Sequence, residues 1–270
     1  MTDVAAVIGS PVAHSLSPAL HNAAFRADHL DWVYVAFDVA PGAAAAALEA
    51  MRVLGIGGLS VTTPHKEAVA AAVDELAPAA AALRSVNTVV RTAAGALVGH
   101  STDGDGFVAS LEASGVVVAG ATFAIVGAGA AARSIVDALG RNDVADIAVL
   151  NRTAQRAVEA AALATVARVG TMDDLAAADV VVDATSVGMG VDEVAFDPLL
   201  LRSGQIVADL VYHPLRTALL HAAEGAGCHI VDGLGMLVHQ AVLQQELWTG
   251  RRPDPAVMRA AAEAELARRV

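Results

Sequence analysis

The segment TFAIVGAGAAAR, Thr122–Arg133, decides the fold. An apolar run, Thr122–Val126, meets two glycines and then an alanine-rich stretch of helical character. Strand, glycine turn and helix in immediate succession open a dinucleotide-binding βαβ unit. Gly127, Gly129 and Ala132 fit the pattern G-x-G-x-x-A. The first small residue permits the tight turn. The second lets a pyrophosphate approach backbone N–H groups at the helix start, and the third permits close helix–strand packing. Gly127, Ala128, Gly129, Ala130 and Ala131 are therefore the candidate pyrophosphate contacts.

Downstream of this turn, short β-branched runs alternate with alanine-rich segments. Strands are expected at 122–126, 146–150, 166–169, 180–184, 205–209 and 229–231, with helices separating most of them. Six strands beginning at a glycine turn suggest a doubly wound sheet. The second strand runs into NRTAQR, Asn151–Arg156. A site built for NAD usually places a carboxylate there, on the ribose hydroxyls. This chain offers Asn151, Arg152, Thr153 and Arg156 instead. The two arginines are four apart and share one face of the helix start. Arginine is unfavourable at the positive end of a helix dipole unless an anion lies nearby. NADP, with its 2′-phosphate, is thus expected over NAD; an ordinary solvated helix start capped by Thr153 is the simpler alternative.

Upstream, strands are expected near 4–8, 32–38, 57–62, 86–91 and 96–100, with helices between them. This alternation again reads as α/β with parallel strands. Ser17-Pro18 and Thr63-Pro64 both look like helix starts, a capping hydroxyl followed by proline. A further helix is expected over 103–114, ending at Gly115. Two C-terminal helices, 234–249 and 254–269, have no strand after them and are expected to pack back on the first domain. The division anticipated is an α/β domain over 1–104, joined by helices over 240–270, and a Rossmann domain over 105–239.

Composition narrows the functional classes. The chain has 270 residues, a formal charge of −12 and one cysteine, Cys228. An acidic chain is a poor match for nucleic acid or an anionic membrane surface. A single cysteine allows no internal disulfide and suits a reducing compartment. No stretch approaches the roughly 20 apolar residues of a membrane span, and the N-terminus lacks the basic region of a signal peptide. A cytoplasmic protein acting on a small molecule is expected. No spacing among the histidines suggests a metal.

Lys66 is the single lysine among 17 basic residues. Arginine stays protonated near neutral pH, whereas lysine can exchange a proton. A lysine kept against so strong an arginine bias raises a chemical question. It lies in SVTTPHK, Ser60–Lys66, which also supplies Thr62. Two other segments carry polar residues where a core would be apolar. AHSLSP, Ala13–Pro18, places Ser15 and Ser17 two apart, and SVNTVV with HSTDGDG supplies Asn87 and Asp103. Hydroxyls suit a carboxylate; Asn and Asp suit ring hydroxyls; a lysine can handle a proton. Asp103 is either a helix cap or the carboxylate that Lys66 faces.

With DATSVGM (Asp183–Met189), DLVYHPLRT (Asp209–Thr217) and DGLGMLVHQ (Asp232–Gln240) added, nine motifs occur in order along the chain. In this order they resemble the shikimate dehydrogenase family over essentially the whole sequence. The resemblance implies reversible, NADPH-dependent reduction of 3-dehydroshikimate to shikimate, on the route to aromatic amino acids. It assigns Ser15 and Ser17 to the substrate carboxylate, with Tyr212 near that end. Thr62, Asn87, Asp103 and Gln240 would hold ring hydroxyls, and Lys66 with Asp103 would form the catalytic pair. The glycine turn and Asn151–Arg156 would hold NADP, with Leu210 and Gly233 bordering the nicotinamide. Many relatives have Asn where this chain has Ser60 and Ser101, which bears on discrimination between shikimate and quinate. A quinate/shikimate dehydrogenase using NAD, a folate-pathway dehydrogenase of related design and a non-catalytic shikimate- or NADP-binding regulator are the alternatives. Either a monomer or a homodimer is compatible with the sequence.

Overall fold

The computed structural model describes residues 2–269. The chain divides into two compact units, residues 1–102 with 238–270, and residues 103–237.

The first unit holds a six-stranded sheet. Its elements are β1 (Asp3–Gly9), α1 (Ser17–Ala27), β2 (Trp32–Asp38), α2 (Ala44–Leu54), β3 (Gly58–Val61), α3 (Lys66–Ala70), β4 (Glu75–Leu76), α4 (Pro78–Leu83), β5 (Thr88–Arg91) and β6 (Leu97–His100). The strand order is β2-β1-β3-β5-β6-β4. β1 pairs in parallel with β2 and β3, but β5 is antiparallel to both β3 and β6. The sheet is thus mixed, where parallel strands were expected. The cause is local: only Thr92–Ala96 separates β5 from β6, and that span closes as a tight turn with Gly95 at φ +88°. So short a span cannot make the crossover that a parallel pair requires. β4, two exposed residues long, had no sequence signal.

Both expected helix starts are shifted. Ser17 is the first residue of α1 and not its cap, with Leu16 in the cap position. A serine hydroxyl still serves the helix start, but it is that of Ser15, whose Oγ accepts the Ser17 N–H at 3.2 Å. Thr63-Pro64 is a cis peptide outside the helix, and α3 begins two residues later at Lys66, after His65. His65 is buried, and its Nε2 lies 2.7 Å from the Val39 carbonyl.

The second unit begins with α5 (Asp103–Ala113) and continues with β7 (Thr122–Val126), α6 (Ala130–Gly140), β8 (Asp146–Leu150), α7 (Ala154–Ala161), β9 (Ala167–Val169), α8 (Met172–Ala177), β10 (Val180–Asp183), β11 (Ile206–Asp209), α9 (Ala218–Gly225) and β12 (His229–Val231). All five pairings are parallel, in the order β12-β11-β10-β7-β8-β9. This is the doubly wound arrangement expected, with strand order reversing at β7 where the glycine turn sits. One face packs Phe107, Leu111, Ile135 and Leu139 against Phe123, Ile125, Ile147 and Val180. The other packs Leu175, Leu201, Leu219 and Leu220 against Ala124, Val181 and Val207. α10 (Gly233–Thr249) and α11 (Pro255–Arg268) close the chain, and α11 packs on α1 within the first unit. Asp254 caps α11 by accepting the Ala256 N–H. Among the described residues no helix is long and apolar enough to cross a membrane.

Candidate active site

In the first unit, the polar residues singled out from the sequence fall at the ends of neighbouring elements. Thr62 follows β3, its N–H donating to the Ile8 carbonyl at 3.0 Å and its carbonyl accepting the His65 N–H. Lys66 opens α3 and is half-buried. Its carbonyl accepts the Val86 N–H at 3.0 Å, which ties the start of α3 to the segment carrying Asn87. Val61 N–H in turn donates to the Asn87 carbonyl at 2.7 Å. β3, α3 and the start of β5 are therefore laced together by backbone bonds around these side chains.

Asn87 is buried, and its side chain is held on both atoms. Nδ2 donates to Thr102 Oγ1 at 2.9 Å, while Oδ1 accepts the Thr102 N–H at 2.8 Å and the Thr88 hydroxyl at 2.9 Å. Thr102 Oγ1 lies 3.3 Å from the carbonyl of Gln240, itself buried on α10. The structure thus brings Asn87 and Gln240 to one locus through Thr102. Thr102 carries no role in the sequence reading, although it stands directly before Asp103.

A second buried group was also missed. Tyr34 on β2 donates its phenol proton to Ser60 Oγ at 2.6 Å, and Ser60 Oγ donates to Gln244 Oε1 at 2.6 Å. His21 on α1 stacks on Tyr34, ring centroids 4.4 Å apart at 18°, and its Nδ1 lies 3.2 Å from Gln245 Oε1. Burial pushes the Tyr34 phenol up and the His21 imidazole down to about 4, Gln245 opposing only part of the latter. His21 is therefore neutral at physiological pH. The one signal available was a pair of glutamines, Gln244 and Gln245, inside an apolar helix. His100, at the end of β6, is half-buried, and burial also holds its imidazole down.

In the second unit, the glycine turn has the geometry its sequence demands. Gly127 has φ +115°, and a β-carbon there would stand 2.9 Å from the Ala184 carbonyl oxygen. Both conditions require glycine. Gly129 is the extended N-cap of α6 with no side chain over it, and a β-carbon there would meet nothing. Its backbone and those of Ala130 and Ala131 present the unpaired N–H groups of a helix start. Ala132 is fully buried, as helix–strand packing requires.

β8 delivers Asn151, Arg152, Thr153 and Arg156 to the same end of the sheet. Asn151 Nδ2 donates to the Thr153 carbonyl at 3.0 Å. Thr153 is the N-cap of α7, but its side chain accepts no capping bond. The helix start is therefore not the simple hydroxyl cap that competed with a ligand site. Among the described residues Arg152 and Arg156 make no ion pair, and both are exposed, whereas Arg141 and Arg168 are each paired with two carboxylates. Two uncommitted guanidiniums beside a glycine-lined helix start suit a ligand with several phosphates.

Leu210 and Gly233 also come together: a β-carbon on Gly233 would overlap the Leu210 carbonyl. Tyr212 is half-buried in the loop after β11. Asp209 fixes the root of that loop, accepting the Val211 N–H at 2.9 Å and the Thr217 hydroxyl at 2.6 Å. Asp183, at the end of β10, accepts the Thr185 N–H at 2.9 Å. Burial pushes the Asp183 carboxyl up to about 6 and raises that of Asp209 as well. The motifs containing these aspartates were noted in the sequence, but their burial was not apparent from it. Asp103 begins α5 and is half-buried.

Comparison with known proteins agrees along the chain. Residues 7–89 match the shikimate dehydrogenase substrate binding domain, 111–192 the shikimate / quinate 5-dehydrogenase family, and 233–263 the shikimate 5′-dehydrogenase C-terminal domain. A shikimate dehydrogenase (NADP(+)) of Moorella thermoacetica is 44% identical over 270 residues, covering 95% of this chain and 91% of the relative. The crystal structure of shikimate 5-dehydrogenase from Thermus thermophilus, in complex with NADP(H) and shikimate, superposes with a TM-score of 0.92 at 36% identity, covering 97% of this chain and 99% of that one. A quinate dehydrogenase from Corynebacterium glutamicum in complex with NAD gives 0.90 at 34% identity, covering 97% and 99%. By whole-length identity and by all three domain matches, the chain belongs to the shikimate dehydrogenase family.

Proposed function

We propose that this protein is an NADP-dependent shikimate dehydrogenase, catalysing the reversible reduction of 3-dehydroshikimate to shikimate. The observation that carries the reading is the sole lysine of the chain, at the start of α3 and tied by its carbonyl to the Asn87 segment. Within this family it is the group suited to exchange a proton with the substrate oxygen.

Ser15 and Ser17 bind the substrate carboxylate, with Tyr212 near it. Thr62, Asn87, Asp103 and Gln240 hold the ring hydroxyls. The buried, doubly anchored amide of Asn87 supports that role, because its orientation is fixed before a ligand arrives. NADPH, when bound, supplies the hydride for the ketone carbon. Gly127, Ala128, Gly129, Ala130 and Ala131 hold its pyrophosphate, and Asn151, Arg152, Thr153 and Arg156 its 2′-phosphate. Leu210 and Gly233 border the nicotinamide. Lys66 donates a proton to the oxygen as the carbonyl becomes an alcohol, and its charge stabilises the developing alkoxide. Asp103 is its partner in the pair. The enzyme serves the route to aromatic amino acids in the cytoplasm, as a monomer or homodimer, with residues 1–104 and 240–270 carrying substrate and 105–239 carrying NADP.

Initial rates at the NADPH absorbance band test this, with shikimate or quinate and NADP or NAD in all four combinations. Shikimate with NADP should be fastest. A preference for quinate with NAD supports the NAD-using quinate/shikimate dehydrogenase alternative, and binding of shikimate and NADP without turnover supports a regulator.

A further inference from the structure

The buried Tyr34–Ser60–Gln244 chain has a defined direction. Each hydroxyl has one proton to give. Tyr34 gives its proton to Ser60, and Ser60 gives its own to Gln244 Oε1. The Gln244 amide is oriented by its other end, where Nε2 faces the Asn87 carbonyl at 3.4 Å. A reversed amide would set two carbonyl oxygens against each other. Having given its proton to Ser60, the phenol oxygen is left as an acceptor. Tyr34, Ser60 and Gln244 are all buried, at 2%, 6% and 2% exposure, so no water competes for these bonds. The chain therefore runs from Tyr34 on β2, through β3, to α10, and ends on the backbone of Asn87. It ends on the main-chain carbonyl of the residue whose side-chain amide is proposed to bind a ring hydroxyl. Stacking of His21 on the Tyr34 ring and the Trp248 ring beside it fix the phenol in place.

We propose that Tyr34, Ser60 and Gln244 are positioning residues for shikimate: their directed hydrogen-bond chain sets the Asn87 segment before the substrate binds. This rests on the assignment of Asn87 to substrate made above. None of the three touches the reacting atoms. Their effect falls on substrate affinity and leaves the hydride and proton steps intact.

The test uses full-length Tyr34→Phe, Ser60→Ala and the double variant, with steady-state kinetics in both substrates and thermal melts. Tyr34→Phe keeps the ring stack and removes only the phenol. Each single change should raise KM for shikimate about 5- to 20-fold, the effect of losing one oriented buried hydrogen bond. The kcat should stay within about 3-fold and KM for NADP should not change. The double variant should be no worse than the more severe single one, because either change breaks the same chain. Wild-type KM for shikimate in both single variants overturns the proposal. A parallel rise of both KM values with a lowered Tm also overturns it, by reducing the chain to a structural role. If Tyr34→Phe does not fold, Ser60→Ala decides alone. Wild-type protein inert toward shikimate overturns the assignment of substrate and this proposal with it; active wild-type protein with unaltered variants overturns this proposal only.

Discussion

Asp183 and Asp209 are register partners at the ends of adjacent parallel strands, β10 and β11, and each is only 1% exposed. Two carboxylates in that position oppose each other's ionisation. Each is retained by a local task, accepting the N–H groups and the hydroxyl that start the following loops.

The first prediction concerns the charge on Asp183, whose carboxyl is raised mainly by burial and further by Asp209. A rise from 3.8 to about 6 corresponds to about 3 kcal/mol against the charged form in the fold. For an acid whose folded value is raised, the penalty is absent below the unfolded value, near pH 4, and complete above about pH 6. Asp183→Asn keeps an acceptor for Thr185 and removes the charge. It should gain about 1–3 kcal/mol over wild type at pH 8 and little at pH 4. Urea unfolding at both pH values measures this; a variant less stable than wild type at pH 8 contradicts it.

His21 acts with the opposite sign. Its imidazole is lowered from 6.5 to about 4, so the unfolded chain takes up a proton first as pH falls. About 3 kcal/mol of stability, full above pH 6.5, should be lost as pH drops toward 4. His21→Phe removes this dependence. It leaves Gln245 Oε1 without its partner, at a cost of about 1–3 kcal/mol near pH 7. The difference between the two proteins, followed by urea unfolding, should shrink or reverse by about pH 4.5; a constant gap across the range excludes His21 as the cause.

Lys66→Ala should lower kcat by ~10²–10⁴ with a smaller effect on KM, the range for loss of a general acid. Lys66→Arg is the sharper variant: it keeps the charge and should still bind shikimate, yet turn over poorly. An arginine variant with near wild-type kcat would show that charge alone suffices. Because Lys66 is the only lysine, an amine-selective reagent should modify it and the N-terminus alone, with shikimate protecting Lys66.

Arg152→Ala and Arg156→Ala should each raise KM for NADP by about 10- to 100-fold, as expected for a charge-assisted contact to phosphate. KM for NAD should scarcely move, since NAD has no 2′-phosphate. Equal losses for both cofactors would place the arginines elsewhere in function.

The sequence made the second unit legible because its signals are local. The glycine turn is adjoined directly by its strand and its helix, and Gly115, at φ +80°, follows the end of α5 where expected. The two C-terminal helices fall within about a residue of their expected limits. The polar residues near Lys66 were legible as chemistry, but their connections were not. Tyr34 and Ser60 are 26 positions apart, and Ser60 and Gln244 are 184 apart. No local pattern joins them. The antiparallel β5–β6 pair was within reach, since the short gap between the two expected strands already excluded a crossover.

Gly104, next to the catalytic candidate Asp103, has a meaning of its own for descent. A β-carbon there would overlap the Ser134 carbonyl, which belongs to the α6 backbone and cannot rotate away. Helices α5 and α6 therefore touch only through glycine at that point. Homologues that drift to a different reaction are free to replace Lys66, but not Gly104 while α5 stays against α6. Across a lineage the two positions should separate, with the glycine tracking shared architecture and the lysine tracking the reaction. A sequence keeping Gly104 and lacking Lys66 would mark a paralogue recruited to other work.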